Sequence, residues 1–365
     1  MAKSTKKQSL SKAVSKEIKK KFDLNDFKSK KGIGGNVKFK DQEWLYFSPA
    51  LQDVLSIPGA AMGHVNVVRG KSDTGKSTMA VEIAIDAQKR GVLPILIITE
   101  MKHSWDYWKK MGFKMEDVLD DNGDIIDHEG FFLYRDRSTI NSIEDVATFI
   151  IDMLDEQKKG NLPHDLLFLW DSVGSIPCDQ SINQGKNNPM WNAGAIATQF
   201  GNFVNQKIMM SRKDGEPYTN TLFIVNKTGV APAESAMSRP KMTNKGGDTF
   251  FFDASIVITF GNITNSGTSR IRAVKDGKKV EFAYRTKVAC TKNHVNGTST
   301  TGTVVSTAYG FIENSDKAIK NYKKEHSKEW VDILGSGQYD TEEDEKEWEE
   351  QTSMIDQIIA DEAES

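Results

Sequence analysis

A short run of glycine, lysine and hydroxyl residues has the order typical of a phosphate-binding loop. It reads Gly70, Lys71, Ser72, Asp73, Thr74, Gly75, Lys76, Ser77 and Thr78, which fits the pattern G-x-x-x-x-G-K-[ST]. The two glycines allow backbone N–H groups to turn toward phosphate oxygens. Lys76 would reach the β- and γ-phosphates of a nucleotide, and the Ser77 hydroxyl would be a ligand of Mg²⁺. We therefore expect ATP and Mg²⁺ as cofactors, with these nine residues forming the nucleotide-binding loop.

The residues on either side supply the elements that such a loop needs. The apolar run His64–Val68 predicts a strand, and the apolar spacing from Thr78 to Ala87 predicts a helix. This order directs the N-terminus of the helix at the phosphates. The alternative is a glycine-rich turn with an incidental lysine, and the flanking strand and helix argue against it.

Two carboxylates follow further predicted strands. Asp171 comes directly after the apolar run Leu166–Trp170, and Glu100 ends the run Leu93–Thr99. Asp171 would hold the water shell of the Mg²⁺ beside Ser77, and Glu100 could polarise an attacking water. The alternatives are an aspartate that only caps a strand and an ordinary surface glutamate.

The composition narrows the class of protein. With 365 residues and 38% hydrophobic content, the chain can form one large α/β domain with extensions, or two domains. Its two cysteines, Cys178 and Cys290, form neither a disulfide framework nor a metal-ligand cluster. No secretory signal and no apolar run of bilayer length are visible. These features predict a soluble cytoplasmic protein without a membrane partner.

Charge is concentrated at the two ends of the chain. Residues 1–31 contain eleven lysines and three acidic residues, whereas residues 340–365 contain twelve acidic residues and one lysine. Such ends are commonly interaction segments, although they can also serve only to keep a protein soluble. The pattern divides the chain into a basic N-terminal arm (1–35), an ATPase core (36–312), a short helical segment (313–339) and an acidic tail (340–365).

Strands and helices alternate through the core, which predicts a mostly parallel sheet flanked by helices. The predicted strands after the loop are Leu93–Thr99, Phe131–Tyr134, Asp165–Trp170 and Thr221–Asn226, and the predicted helices are Leu10–Phe27, Ile143–Gln157 and Ala193–Met210. Beyond Ser255 the pattern changes to alternating short strands at Ile256–Phe260, Arg270–Val274, Lys279–Thr291 and Thr303–Ser306, with a hairpin turn at Asp276-Gly277. The expected class is therefore an α/β fold with antiparallel strands late in the core.

Further motifs stand at set distances from the phosphate loop. Met62-Gly63 precede the phosphate loop. Met111-Gly112 follow Glu100, and Gly112 stands twelve residues after that glutamate. Tyr107 stands seven residues after Glu100, and Asp171 opens the sequence Asp-Ser-Val-Gly. With these motifs the chain resembles the RecA family, in particular the RecA-like recombinases of tailed bacteriophages. The resemblance implies a RecA-like core, a catalytic role for Glu100 and stacking of Tyr107 on adenine.

The resemblance extends over residues 46–310. Phe223–Thr228 is similar to the strand that carries a γ-phosphate sensor, which would be Lys227. Gly246 and Gly247 resemble the end of the second DNA-binding loop. Lys292 and His294 resemble the basic strand end that reaches the ATP of a neighbouring subunit, so both would be catalytic across a subunit boundary.

Three positions depart from the family pattern. The sensor position holds Lys227 instead of glutamine or histidine, and His294 stands where lysine or arginine is usual. Ile98 replaces the usual acidic residue two positions before Glu100. A globular C-terminal domain would be reduced to residues 313–339.

Two polar segments are candidates for DNA contact, because neither has the apolar periodicity of a packed element. The first, between Ile176 and Ala193, and the second, between Thr228 and Gly247, supply the candidates Lys186, Met190, Trp191, Arg239, Lys241, Lys245, Gly246 and Gly247. Their cations would follow phosphates, and Met190 or Trp191 could insert between bases. The alternatives are a Trp191 buried in the core and loop lysines that are merely solvated.

The expected function is that of a DNA-dependent ATPase that forms helical filaments on single-stranded DNA and exchanges strands with a homologous duplex. The resemblance implies that the N-terminal arm docks on the adjacent subunit through Phe22 or Phe27. A single-strand-binding protein and a recombination mediator are further expected partners, and a phage origin would imply the cytoplasm of the bacterial host. A ring-forming replicative helicase and a non-enzymatic binding module remain alternatives. A replicative helicase generally has an N-terminal domain larger than 35 residues. The intact set of nucleotide-site residues argues against a non-enzymatic binding module.

Overall fold

The computed structural model describes residues 23–32, 37–230, 242–244, 247–263, 269–275 and 278–327. The chain divides into two compact units, residues 1–40 with 213–215 and residues 41–212 with 216–365. In the first unit, helix α1 (Leu24–Lys31) begins after Asp23, whose carboxylate accepts hydrogen bonds from the N–H groups of two first-turn residues. Phe39 forms a bridge to Lys213. The predicted helix Leu10–Phe27 lies mostly outside the described residues, and its described end continues to Lys31.

The second unit contains the sheets and the other described helices. Its strands are β1 (Trp44–Tyr46), β2 (Gly59–Ala61), β3 (Val65–Gly70), β4 (Leu93–Ile98), β5 (Glu116–Leu119), β6 (Ile125–Glu129), β7 (Leu133–Asp136), β8 (Leu166–Asp171), β9 (Thr221–Val230), β10 (Met242–Asn244), β11 (Ile256–Asn262), β12 (Arg270–Lys275), β13 (Lys278–Asn293), β14 (Thr301–Thr307) and β15 (Gly310–Glu313). Its helices are α2 (Pro49–Leu55), α3 (Lys76–Arg90), α4 (Trp105–Met111), α5 (Ile143–Lys158), α6 (Asp179–Asn183), α7 (Pro189–Ile196), α8 (Asn205–Met210), α9 (Thr249–Asp253) and α10 (Asp316–Glu325). A π-helical segment, Ala197–Val204, joins α7 to α8.

The central sheet has eleven strands and is parallel in its middle. The strand order is β15-β14-β13-β11-β3-β9-β8-β4-β7, with β10 paired to β9 and β12 paired to β13. All neighbours from β11 to β7 are parallel, whereas β13, β14 and β15 extend the sheet with antiparallel pairs. The predicted α/β class with late antiparallel strands is therefore confirmed at the level of the sheet.

The parallel strands are buried on both faces, which explains their continuous apolar sequences. Along β8, Leu167 and Leu169 join one core cluster with α3, whereas Phe168 and Trp170 join a second cluster with α5. Successive side chains of a strand point to opposite faces, so the sheet separates two layers of helices. None of the described helices is long and apolar enough to cross a membrane.

Some sequence predictions differ from the structure. The segment from Ile176 to Ala193 is not one irregular loop, because it contains α6 and the start of α7. Asn188 accepts a hydrogen bond from the N–H of Met190, and Pro189 takes the first helical position, so this helix begins before the predicted Ala193.

Near the edge of the sheet, the predicted strand Phe131–Tyr134 is shifted and lies at Leu133–Asp136. The antiparallel β5–β6 hairpin, which lies between α4 and β7 in the chain, was not predicted from the sequence. Asp276-Gly277 lie outside the described residues, but Lys275 and Lys278 face each other across the predicted turn. Residues 328–339 and the acidic tail also lie outside the described residues.

Candidate functional site

The predicted site residues converge because four parallel strands end at the same edge of the sheet. Gly70 at the end of β3 is paired in register with Lys227 of β9. Asp171 of β8 is in register with Val225 of β9 on one side and with Ile98 of β4 on the other. The phosphate loop, Glu100, Asp171 and Lys227 therefore emerge side by side, where ligands of open α/β sheets bind.

The glycines of the predicted phosphate loop are required by close contacts. A Cβ atom on Gly70 would lie 2.5 Å from the carbonyl oxygen of Phe260. Gly75 has a φ of 97°, in the left-handed region, and a Cβ atom there would lie 2.9 Å from the ring of Phe311. Both positions therefore exclude larger side chains, and the loop leads directly into α3.

Lys76 is the first residue of α3 and is buried. Its ammonium group donates to the carbonyl oxygen of Lys71 and lies 3.5 Å from the Thr74 hydroxyl. Burial lowers the pKa of Lys76 to about 8, and the positive charge of Lys227 acts in the same direction, while the carboxylate of Asp171 opposes it. The amine is thus folded against the loop that would surround a phosphate, and a phosphate could replace the carbonyl as its partner.

Ser77 and Asp171 form a pair of oxygen ligands. The Ser77 hydroxyl donates to Oδ2 of Asp171 over 2.8 Å. Burial raises the pKa of Asp171, and the nearby charge of Glu100 adds to this effect, while the Ser77 hydrogen bond and two lysines oppose it. A hydroxyl and a carboxylate are donors that suit Mg²⁺, which keeps several of its waters. Among the described residues, no group of three or more His, Cys, Asp or Glu side chains forms a metal cluster.

Glu100 lies two residues beyond β4 and is partly buried. Its Oε2 atom accepts a hydrogen bond from the ammonium group of Lys227, and the hydroxyls of Ser175 and Ser172 lie at 3.3 and 3.5 Å. Burial alone would raise the pKa of Glu100, but the hydrogen bond and charge of Lys227 outweigh it, so the pKa is lowered. The carboxylate is therefore ionised and held beside the phosphate loop. The peptide bond between Asp171 and Ser172 is cis.

A cavity of about 730 Å³ adjoins the loop and has the size of a small-molecule site. Ser72, Asp73, Thr78 and Tyr107 line one side, and residues of β12, β13 and β14 line the other. The Tyr107 hydroxyl bonds to the hydroxyl of Thr78 over 2.8 Å, and burial raises the pKa of Tyr107 to about 12. The tyrosine is thus neutral and fixed in the wall of the cavity, where an adenine ring could contact it.

The second wall of this cavity is not predicted by the sequence. It includes Arg270 of β12 and three residues of β13, namely Glu281, Tyr284 and Thr286; Arg270 lies opposite Tyr284 in the antiparallel register of the two strands. The arginine forms an ion pair with Glu281, and burial raises the pKa of Tyr284. No motif marks these residues, because only the strand register places them beside the loop.

Lys292 and His294 do not join the other site residues within one chain. Gly70, at the start of the phosphate loop, lies opposite Phe260 of β11. Lys292 lies opposite Val257 of the same strand, which is three residues farther from the edge of the sheet that carries the loop. Three residues of a strand span about 10 Å. The ammonium group of Lys292 donates instead to the carbonyls of Phe251 and Phe252 at 2.9 and 2.8 Å, and His294 is exposed.

The candidate DNA residues of the first segment lie on or beside α7. The Lys186 ammonium group lies 5.6 Å from the centre of the Trp191 ring, a cation–π geometry. Trp191 is partly buried and packs on the core cluster that contains α5, whereas Met190 is 81% exposed. Of the two apolar candidates, Met190 is therefore the more accessible to a ligand.

One candidate of the second segment is described. Gly247 has a φ of 84°, and a Cβ atom on it would lie 2.8 Å from the Cβ atom of Ala193 in α7. Close packing on α7 thus requires glycine at this position. The candidates Arg239, Lys241, Lys245 and Gly246 lie outside the described residues.

Comparison with known proteins gives a partial match. No family model matches the chain. A stretch of 70 residues is 34% identical to the protein RecA of Syntrophobacter fumaroxidans, and it covers 19% of this chain and 20% of that protein. The chain thus matches about a fifth of the length of this curated relative. The match indicates a relationship to RecA over that stretch, and the mostly parallel sheet is compatible with a RecA-like core.

Proposed function

We propose that this protein is a DNA-dependent ATPase that assembles on single-stranded DNA and promotes homologous pairing and strand exchange. One observation carries the proposal: Lys76, Ser77, Asp171, Glu100 and Lys227 meet at one edge of the sheet, next to a cavity of nucleotide size. The partial similarity to RecA supports the same class of activity.

The site residues have separate roles in this proposal. Lys76 holds the β- and γ-phosphates, and the Ser77 hydroxyl with the Asp171 carboxylate holds Mg²⁺ or its waters. Bound Mg²⁺ supplies positive charge that offsets the charge of the phosphates. Tyr107 offers its ring to the adenine at the cavity wall, with its hydroxyl fixed by Thr78.

Glu100 is the residue proposed to act on water. Glu100 lies two residues beyond the end of β4, beside the strand that carries Asp171, so its carboxylate would reach a water near the terminal phosphate. The ionised state of Glu100, favoured by Lys227, is the state that can accept a hydrogen bond from that water.

A complete site is proposed to form between two copies of the chain. Lys292 and His294 lie toward the edge of the sheet opposite the phosphate loop, so they are poorly placed to reach the nucleotide of their own chain. Acting on the nucleotide of a neighbour, they would stabilise the negative charge that develops on the transferred phosphoryl group. This requirement favours an assembly in which copies stack head to tail.

DNA contact is assigned to the segments at α6–α7 and between β9 and α9. Lys186 beside α7, with Arg239, Lys241 and Lys245, would follow the phosphates of the strand. Met190, exposed at the start of α7, would contact bases.

The proposal is tested by separating nucleotide binding from hydrolysis. Lys76→Ala should abolish ATP-dependent binding to single-stranded DNA, because the phosphates lose their ammonium partner. Glu100→Gln should slow ATP hydrolysis by about 10² or more while filaments stay assembled on the DNA. Lys89→Ala, at an exposed position in the last turn of α3, is the matched control and should leave both properties unchanged.

Two results would contradict the proposal. Filaments of Glu100→Gln that disassemble when ATP is added would remove the role given to Glu100. A wild-type protein that unwinds forked duplexes but never pairs homologous strands would instead be a helicase.

A further inference from the structure

A small cavity lies beside Glu100, at the carboxyl ends of β4 and β7. In the central sheet, β7 follows β4 on the side away from the phosphate loop, and Ile98 of β4 lies opposite Asp136 of β7. The cavity has a volume of about 280 Å³, and its lining includes the side chains of Glu100, His103, Asp136 and Arg137. Pockets for drug-sized ligands measure roughly 300 to 1,000 Å³, so this cavity suits a small ion.

Two nitrogen atoms of the lining residues are buried without a hydrogen-bond partner. They are Nη1 of Arg137 and Nε2 of His103, and neither has a partner among the described residues. Buried polar groups are usually paired, so each nitrogen gains a hydrogen bond when its side chain turns toward an acceptor in the cavity. Arg137 has a permanent positive charge and only donates. Burial lowers the pKa of His103 to about 4, so its neutral ring donates from one nitrogen. The two side chains therefore suit an oxyanion.

The carboxylates of the cavity determine which oxyanion fits. Oδ1 of Asp136 accepts from the N–H of Ser138 over 2.9 Å, whereas Oδ2 has no hydrogen-bond partner among the described residues. A carboxylate repels a fully ionised oxyanion but accepts a strong hydrogen bond from an O–H group. Near neutral pH, inorganic phosphate keeps at least one P–OH group, and sulfate has none. A site with both donors and a carboxylate thus selects phosphate over sulfate.

Hydrolysis of ATP would deliver phosphate to this side of the nucleotide site. In phosphoryl transfer, the attacking water and the leaving oxygen of ADP are roughly in line, on opposite sides of the phosphorus. Because Glu100 is the residue proposed to act on the water, the new phosphate separates from ADP on the side of Glu100. The strand next to β4 on that side is β7, which ends at Asp136, directly before Arg137.

We propose that this cavity is a phosphate site, in which Arg137 and His103 hold the inorganic phosphate formed from ATP before it reaches solvent. This inference rests on the proposed function. Arg137 and His103 donate to oxygens of the phosphate, and Asp136 accepts from its P–OH group. The negative charges of Glu100 and Asp136 keep the affinity low, so the phosphate leaves before the next turnover.

The test is a titration of the full-length protein with inorganic phosphate while the nucleotide site holds Mg²⁺ and a slowly hydrolysed ATP analogue. The analogue occupies the phosphate loop, so added phosphate has to bind elsewhere. Line broadening in phosphorus NMR, at constant ionic strength, reports weak binding, and sulfate is added as a competitor. We expect saturable binding of phosphate, with sulfate weaker by about tenfold or more.

Variants identify the side chains that hold the phosphate. Arg137→Gln removes the charge and should raise the Kd for phosphate by about tenfold or more, because a charge-assisted hydrogen bond is lost, and Arg137→Lys should raise it less. Arg135→Gln is the matched control at an exposed position of β7 and should not change the Kd. Asp136→Asn removes the repulsion of sulfate and should reduce the preference for phosphate.

The outcomes separate the phosphate site from the proposed function. A wild-type protein that shows no saturable phosphate binding, or that binds sulfate as tightly as phosphate, overturns the site without the need for any variant. Equal Kd values for Arg137→Gln and the wild type also overturn it. If the same wild-type protein hydrolyses ATP in the presence of single-stranded DNA, the proposed function stands without the site. A wild-type protein that does not hydrolyse ATP contradicts both.

Discussion

Glu82 gives the free energy of unfolding a pH dependence that one substitution should remove. This carboxylate lies in α3, below the phosphate loop, and accepts hydrogen bonds from the N–H groups of Ser48 and Phe311 at 3.2 and 3.0 Å. Burial raises the pKa of Glu82 from 4.5 to about 7, and the two hydrogen bonds only partly offset it. The folded protein therefore keeps a proton on Glu82 over a pH range in which the unfolded chain releases it.

The sign and size of the effect follow from this difference in proton binding. Between pH 4.5 and 7 the folded state binds more protons than the unfolded state, so stability falls as the pH rises. The full difference, at about 1.4 kcal/mol per pH unit, corresponds to about 3 kcal/mol, and most of it falls between pH 5 and pH 8. Glu82→Gln resembles the protonated carboxyl group and does not titrate. Its free energy of unfolding relative to the wild type should thus rise by about 2 to 3 kcal/mol between these two pH values.

The assay is urea unfolding of the wild type and the variant at pH 5 and pH 8, because the difference between the two proteins cancels the titration of all other groups. Glu129→Gln, at an exposed position in β6, is the matched control. The difference in free energy of unfolding between Glu129→Gln and the wild type should change little with pH. If the difference in free energy of unfolding between Glu82→Gln and the wild type is the same at pH 5 and pH 8, the raised pKa of Glu82 is refuted.

Three further predictions concern the core, the nucleotide cavity and the tail. Trp170→Ala should lower the free energy of unfolding by about 3 to 5 kcal/mol in urea, because Trp170 is fully buried and stacks on Phe200 at 5.2 Å; a loss below 1 kcal/mol would contradict this packing. Tyr107→Ala should weaken ATP binding by about 1 to 3 kcal/mol in equilibrium titrations if the ring stacks on adenine, whereas Tyr107→Phe should retain the affinity. Deletion of residues 340–365 should raise the affinity for duplex DNA, most strongly at low salt, and an unchanged affinity would show that the acidic tail does not restrain binding.

The central strands and the residues at their ends could be predicted from the sequence. Parallel strands buried on both faces need uninterrupted apolar residues, and Leu166–Trp170 and Leu93–Ile98 show this pattern. Because such strands end at one edge of the sheet, Asp171 and Glu100 were expected beside the phosphate loop without any knowledge of side-chain contacts.

The remaining features depend on contacts that local sequence does not encode. Half of the residues of the β5–β6 hairpin (116–129) are acidic, so its pattern does not stand out from that of a loop. Helix α7 begins where the side chain of Asn188 caps its first turn. Because the surrounding segment is polar, its sequence pattern does not mark the start of the helix. The Lys227–Glu100 pair joins residues 127 positions apart in the chain. Only the register of β9 against β3, and of β8 between β9 and β4, brings them together.

Electron microscopy of the negatively stained protein with single-stranded DNA and a slowly hydrolysed ATP analogue tests the proposed function most directly. We predict helical filaments that form only when both ligands are present, because the proposed complete site would take Lys292 and His294 from a neighbouring copy. Closed rings, or filaments that form equally well without nucleotide, would contradict it.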